Sequence, residues 1–441
     1  MGVVEADSEL TPTETTSDRH GQGRGVRVMF TGGDPANDPR REIPVLGFRD
    51  YWYPVIQEKK VPRRKPVMVK LLGEELCVFR GETGIAAVKD ACPHRGTRLS
   101  QGVCNFQGTV SCPYHGWTFD ESGACVAVLS EGPDSAIPGK VNVSNYVTET
   151  IKGMVFAWMG EGEPIPPERD LAPELFDSSV VFFDETTWRT NWRPALENFQ
   201  DNHAPYIHRN SIRLLLRPFF KVSYAGSRPV IAGGGVRLDR YQDGSVADRP
   251  YRDYFEGVDG YWPKHTFRRV WAPLFRYWPL KWFAPQGGVA NDRSKDYHDD
   301  LEWNNGPHMP GIQRILEQDW YGPFIYTRWC VPIDENTTRE VYFHACRLPS
   351  RFAYYFERLR FPVVSRLLYY RNFGYQDGRV LEQTPYDRPE RFSSFDIETI
   401  GWRRLAILSA RHGGRHDKIP AEIIERLNAP AHTDEERQAR V

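Results

Sequence analysis

Two short runs carry most of the chemistry that can be read directly from this sequence. Cys92-Pro93-His94-Arg95-Gly96 and Cys112-Pro113-Tyr114-His115-Gly116-Trp117 each offer one thiolate and one imidazole on a Pro/Gly-rich turn. Two Cys and two His could hold tetrahedral zinc. Zinc fingers, however, pair Cys with Cys and His with His on a ββα unit, and here the types are mixed. Interleaved C-x-H and C-x2-H is the pattern a [2Fe–2S] cluster needs when two thiolates hold one iron and two imidazoles the other. Four unligated buried residues would leave the two Cys-Pro turns unexplained. The other cysteines, Cys77, Cys104, Cys125, Cys330 and Cys346, read as small core residues. Seven cysteines are an odd set in a long chain, which favours reduced thiols and metal ligands over a disulfide framework.

A second constellation spans Asn191 to His208, with His203, His208 and several carboxylates on a short helix that Pro205 must end or kink. Taken alone, a His pair on a helix is ordinary surface or core. About 170 residues further on, Asn372-Phe373-Gly374-Tyr375-Gln376-Asp377-Gly378-Arg379-Val380-Leu381-Glu382-Gln383 offers a further carboxylate.

The first pair of turns resembles the Rieske iron–sulfur family. High-potential Rieske proteins place a disulfide between the two loops and hydroxyls near the cluster sulfurs. Here Thr97 and Tyr114 stand at the disulfide positions, and Trp117 and Phe119 follow His115. Fewer hydrogen bonds to sulfur leave the reduced cluster less stabilised, so a low potential is expected. Behind such a module, the second constellation resembles the E-N-x-x-D…H-x3–4-H signature of Rieske non-haem iron oxygenases. The segment around Asp377 resembles their (Q/E)-D-x-x-(V/I)-x-E-x-Q motif. The resemblance covers roughly residues 45–405. It implies cluster ligands Cys92, His94, Cys112 and His115, and a mononuclear Fe(II) held by His203, His208 and Asp377, a 2-His-1-carboxylate triad with open positions for O₂. Asp377 is preferred over Glu382, which reads as a helix-surface charge.

In one respect this sequence departs from the family pattern. Only Asn202 separates Asp201 from His203, where the family usually has two residues. On a regular helix, residues two apart point about 200° apart. The resemblance further implies a head-to-tail homotrimer in which Asp201 bridges a ligand imidazole to His94 or His115 of a neighbour. Asn198 would lie near the open iron face or orient Asp201, or be merely structural.

The elements that must position these residues fall into two regions. From Phe48 to about Met159 short β signals dominate. VMVKLLGEELCVFR turns at Gly73-Glu74, and GTVSCPYHGWTFDESGACVAV turns at Ser122-Gly123. A Pro-rich linker, EGEPIPPERD, leads to a region that mixes strands (VVFFDETTW, GGGVRLDRY, TREVYFHACRL) with helical stretches (NWRPALENFQDNH, SRFAYYFERLRF, ETIGWRRLAILSARH). The expected fold class is α+β: an all-β iron–sulfur domain over 43–162, then an antiparallel sheet with helices over 163–415. Residues 1–42 and 416–441 read as polar tails.

Composition narrows the function classes. The 441 residues are 40% hydrophobic and carry a net charge of −1, so no basic field argues for nucleic acid. No 18-residue apolar span exists. The N-terminus shows no apolar signal core, and a cytoplasmic protein is the default expectation. Between Tyr251 and Phe283 stand twelve aromatics and six Lys/Arg. They suit a packed lid, a substrate wall or, as a less favoured reading, a membrane-surface patch. Residues 287–310, with His298 and His308, read as a long polar loop. The GGG run at 233–235 reads as part of a β-hairpin, and no Gly-rich nucleotide fingerprint follows a strand. NAD(P)H and flavin should therefore bind a separate reductase.

The expected function is the terminal oxygenase component of a Rieske system. It would take electrons from a ferredoxin or flavin reductase, activate O₂ at Fe(II), and hydroxylate, dealkylate or desaturate an apolar or aromatic substrate. The competing reading is a non-catalytic Rieske electron carrier.

Overall fold

A computed structural model describes residues 29–30, 38–200, 203, 207–208, 211–212, 221–222, 227–240, 249–250, 303, 305–319, 322–348, 350–393 and 396–429. Asp201 lies outside the described residues, as do the aromatic stretch 251–283 and His298.

The N-terminal domain is built from tight antiparallel hairpins. Val67–Leu71 pairs with Glu74–Arg80 across Leu72-Gly73, both at positive φ (50° and 78°). A two-residue type I′ turn requires this, so the turn lies one residue earlier than the sequence suggested. Leu72 tolerates the conformation because its side chain is buried and its N–H donates to Pro332 O at 2.7 Å. Lys152-Gly153 makes the same kind of turn between Thr148–Ile151 and Met154–Trp158. A third hairpin joins Trp117–Phe119 to Cys125–Val128, and there Asp120 Oδ1 accepts from the N–H groups of Ser122 and Ala124. These strands make three small sheets.

The second domain rests on a seven-stranded sheet, antiparallel throughout. Its order is Val180–Trp188, Thr337–Cys346, Gly322–Asp334, Ile312–Asp319, Gly306–His308, Gly235–Arg240 and Ser227–Ala232. Because side chains alternate along a strand, the central strands serve two cores. Val341, Phe343 and Ala345 point to one side, where Phe343 meets Phe156 of the N-terminal domain edge-to-face at 6.0 Å. Tyr342 and Cys346 point to the other side and pack with Phe324, Tyr326, Phe361 and Tyr370. The first core runs continuously from Trp52 and Val155 to Trp192 and Trp329, so the two domains share it.

The expected GGG hairpin is present as Ser227–Ala232 and Gly235–Arg240. A Cβ on Gly235 would stand 2.3 Å from His308 Nδ1, so only glycine fits under that imidazole. His308 therefore does not belong to a polar loop. It is buried in the strand Gly306–His308 and stacks on Trp303 at 4.8 Å.

Both terminal boundaries differ from the expected tails. Pro39–Glu42 forms a 3₁₀ turn in which Arg40 is buried and pairs with Asp38 and Glu390. Met29–Phe30 pairs with Arg391–Phe392. At the other end Ile419 is buried, and Ala421–Asn428 is a helix whose Ile423, Ile424 and Leu427 pack on the core. The apolar positions in AEIIERLN are too few to stand out from a charged sequence, yet they cover one helix face. The Pro-rich linker is also ordered: Asp170 pairs with Arg415 at 3.0 Å, and Ile165 O accepts from Trp52 Nε1 at 2.8 Å.

Candidate metal centres

The two Cys-Pro turns fold identically. Gly96 N–H donates to Cys92 O and Cys92 N–H to Thr97 O, both at 2.8 Å. Gly116 N–H donates to Cys112 O at 3.1 Å and Cys112 N–H to Trp117 O at 2.8 Å. Each turn needs its glycine at positive φ (72° and 66°). Gly116 could not carry a Cβ in any case, since one would stand 2.6 Å from Leu129 Cβ.

The result sorts the donors by type. The Cys92 and Cys112 thiols are buried and adjacent. His94 and His115 lie outside them with ring centroids 4.6 Å apart. His94 stacks on Trp117 at 4.9 Å and His115 on Tyr114 at 3.8 Å. Burial pushes the Cys92 thiol up to about 11, so a bare thiol would stay protonated there and a metal is needed to hold it as a thiolate. The convergent three-donor groups among the described residues lie elsewhere. A thiol pair inside and an imidazole pair outside suits a two-iron cluster better than one tetrahedral zinc. The nearby Ser111 and Thr118 hydroxyls bond each other at 2.8 Å.

The second centre is assembled from two distant segments. Asn191 caps the helix Trp192–Glu197, its Oδ1 accepting from Arg193 N–H, while its Nδ2 donates to Val45 O and Glu335 O. Arg328 is fully buried beneath it, within 4.4 Å of the Phe199 ring centroid, and donates to Ala195 O at 2.5 Å. Asn198 caps the helix's C-terminal end and is buried, with its Nδ2 unpaired. Further on, Ile207 N–H donates to His203 O at 3.0 Å.

Asp377 arrives on the helix Gly374–Leu381, which continues a wide π-helical segment over Phe361–Phe373. His208 Nε2 lies 3.0 Å and His203 Nε2 3.3 Å from Asp377 Oδ1. His208 Nε2 and both Asp377 oxygens are buried with no hydrogen bond of their own. The three donor atoms fall within 4.8 Å of one another. Burial pushes the Asp377 carboxyl up, but the imidazoles of His203 and His208 outweigh it and hold it below the usual carboxylate range. A buried imidazole nitrogen and a buried carboxylate without hydrogen bonds, with a second imidazole 3.3 Å away, fit a divalent iron. Glu382, by contrast, is exposed and accepts from Arg189 N–H, as a surface charge would.

Two contributors were not singled out from the sequence. Gln376 Oε1 lies 3.1 Å from His208 Nδ1. It accepts that ring's proton and leaves Nε2 bare toward Asp377. Its place just before Asp377 was a usable signal. Phe373 stacks on His208 with centroids 3.4 Å apart and walls the site. Gln376→Leu is expected to weaken iron retention about 10–100-fold, measured by competition with a chelator. Unchanged retention would mean that another group sets the tautomer.

Glu197 has a structural assignment. It receives Arg403 at 2.7 and 2.6 Å and lies 3.6 Å from Arg193. Burial pushes its carboxyl up, but those guanidinium groups outweigh it and hold it below 4.5. Glu197→Ala leaves buried Arg403 with Glu390 as its remaining carboxylate partner and should cost roughly 1–3 kcal/mol, read from the denaturation midpoint. The pair's contribution is fully present above the ordinary glutamate range. It should fade as pH falls through the depressed value, because the unfolded state then binds the proton more tightly.

Comparison with known proteins follows the same division. Residues 51–145 match the Rieske [2Fe-2S] domain. The terminal oxygenase component of carbazole 1,9a-dioxygenase from Metapseudomonas resinovorans is 37% identical over 302 residues, 66% of this chain and 71% of that protein. The oxygenase subunit of 3-chlorobenzoate-3,4-dioxygenase from Comamonas testosteroni is 32% identical over 345 residues, 67% of this chain and 71% of that one. The fold is shared with the terminal oxygenase of carbazole 1,9a-dioxygenase from Nocardioides aromaticivorans IC177, at TM-score 0.64 and 23% identity over 85% of this chain and 98% of the other. This chain belongs to the Rieske non-haem iron oxygenases, as a terminal oxygenase component that uses a [2Fe–2S] cluster and a mononuclear iron to activate O₂.

Proposed function

We propose that this oxygenase hydroxylates an apolar, aromatic small molecule, with Cys92, His94, Cys112 and His115 holding the cluster and His203, His208 and Asp377 holding the iron. The observation that carries the iron assignment is the buried, unbonded set of donor atoms on His208 and Asp377. When bound, the cluster passes single electrons and the iron binds and reduces O₂. The chain's own residues do the rest. Gln376 holds His208 in the ligating tautomer, and Phe373, stacked on that ring, keeps water from it. His94 and His115, at the surface, offer the short way in for electrons.

The substrate class is supported by relatives named for carbazole and 3-chlorobenzoate. A separate ferredoxin or flavin reductase would supply the electrons, since no nucleotide fingerprint is present. Several solved neighbours are described as complexes of oxygenase with ferredoxin. A homotrimer is the proposed assembly, with Asp201 as the bridge between subunits and Asn198 as its support. The cytoplasm is the proposed location. No helix among the described residues is long and apolar enough to cross a membrane.

Turnover on a panel of mono-, bi- and tricyclic aromatics with a surrogate ferredoxin and reductase tests the reading. Substrate-dependent O₂ uptake and a hydroxylated product are expected. A cluster that is reduced and reoxidised without product from any aromatic would overturn the substrate class.

A further inference from the structure

On the side of the sheet away from the iron–sulfur domain, three buried tyrosines stand together. Tyr342 Oη has no hydrogen-bond partner. It lies 3.3 Å from where a Cβ on Gly374 would stand, on the first turn of the helix that carries Asp377. Its ring centroid is 4.9 Å from that of Tyr370, and Tyr326 lies 6.0 and 5.7 Å from the two. Tyr370 Oη in turn lies 2.9 Å from His344 Nδ1. The row thus begins at the helix that carries Asp377 and ends on a buried base. The structural work of filling a core asks only for apolar rings. It does not ask for hydroxyls, which are costly to bury.

We propose that Tyr342 and Tyr370 form a one-electron escape route, in which Tyr370 reduces a dioxygen-derived oxidant formed at the triad in the absence of substrate and passes its phenolic proton to His344. The electron leaves Tyr370 through the Tyr342 ring. The Tyr370 O–H bond breaks and an N–H bond forms at His344 Nδ1. A neutral phenoxyl remains, and the electrons that the reductase delivers to the iron restore it as the proton returns.

The surroundings favour this coupling. Burial penalises both a phenolate and a cationic radical, so the electron and proton must leave together. Burial pushes the His344 imidazole down to about 3, which leaves it neutral, and although it is then a weak base, a phenol that has lost an electron is a far stronger acid, so the proton still crosses. Its Nε2 faces Glu357 Oε1 at 3.7 Å, a carboxylate already paired with Arg360. The His344, Cys346 and Glu357 donors also lie within 4.8 Å of one another. A metal ion is disfavoured there because Arg360 already occupies both Glu357 oxygens, at 2.7 and 2.8 Å.

Freeze-quench electron paramagnetic resonance on the reduced holoenzyme, mixed with O₂ without substrate, tests the route. A transient organic radical is expected, and ring-deuterated tyrosine should narrow its signal. Tyr370→Phe should remove the signal and increase oxidised side chains near the triad several-fold, with iron content and substrate-coupled turnover close to wild type. His344→Gln keeps a hydrogen-bond acceptor but no basic nitrogen. It should also lose the radical, and it serves as the test if Tyr370→Phe fails to fold. A wild-type enzyme that turns over substrate yet forms no radical overturns the route alone, as does a signal unchanged in Tyr370→Phe.

Discussion

Asp377→Ala is expected to silence substrate oxidation to background while leaving the visible spectrum of the iron–sulfur cluster unchanged. Iron should fall from about three to about two atoms per subunit. Asp377 is buried, and its two oxygens have no hydrogen bond of their own, while His208 and His203 approach to 3.0 and 3.3 Å. Removing the carboxylate leaves two imidazoles, too few to hold a divalent iron against water. The cluster ligands lie in a different domain and touch none of these atoms. Reductase should still reduce the cluster in the variant, and reoxidation by O₂ with substrate should stall. A variant that keeps three irons and its activity would move the third ligand elsewhere.

Cys92→Ser is expected to do the reverse. The purified chain should lose its red-brown colour, its acid-labile sulfide and about two irons, while the mononuclear iron stays bound. A serine hydroxyl cannot replace a thiolate as a ligand for this iron pair. Because metal binding is also folding free energy, the variant's N-terminal domain should melt earlier than the wild type's. With no cluster, electrons from the donor have no way in, so turnover is lost although the triad is intact. A non-catalytic electron carrier would have no use for that triad. The two variants therefore fail at different steps, and mixing them tests the trimer. If electrons cross between subunits, a mixed assembly should regain part of its activity, because one subunit contributes its cluster and its neighbour the iron.

Much of both centres was legible because their signals are local. Cys-Pro-His and Cys-Pro-x-His are turns whose geometry is decided within six residues, and the structure gives both the same hydrogen bonds. The helices around Trp192, Arg351 and Ile397 were legible from their pattern, and the Ser122-Gly123 turn from its residue types. The errors came where tertiary contact overrode composition. Leu72 accepts a positive φ because Pro332 anchors its N–H. The charged segments at 38–42 and 416–429 fold because Arg40, Arg415 and Ile419 find buried places on the core.

By itself the sequence supplied two thiol–imidazole turns, then two histidines and a distant aspartate, in an order that suggested an iron–sulfur region followed by an iron-binding one. These follow from residue chemistry at short spacing, which no distant contact can alter. The tertiary structure alone decided how the donors are used. Asp377 and Glu382 share one helix, but five residues turn it by about 500°, so one carboxylate faces the buried imidazoles and the other faces water. Gln376 turns toward His208, and Glu197 is held by Arg403 from 206 residues away. Tyr342, Tyr370 and His344 meet because alternation along one strand and the turn of one helix converge on the same side of the sheet. Pairings of that range depend on packing, and packing is not periodic in the chain.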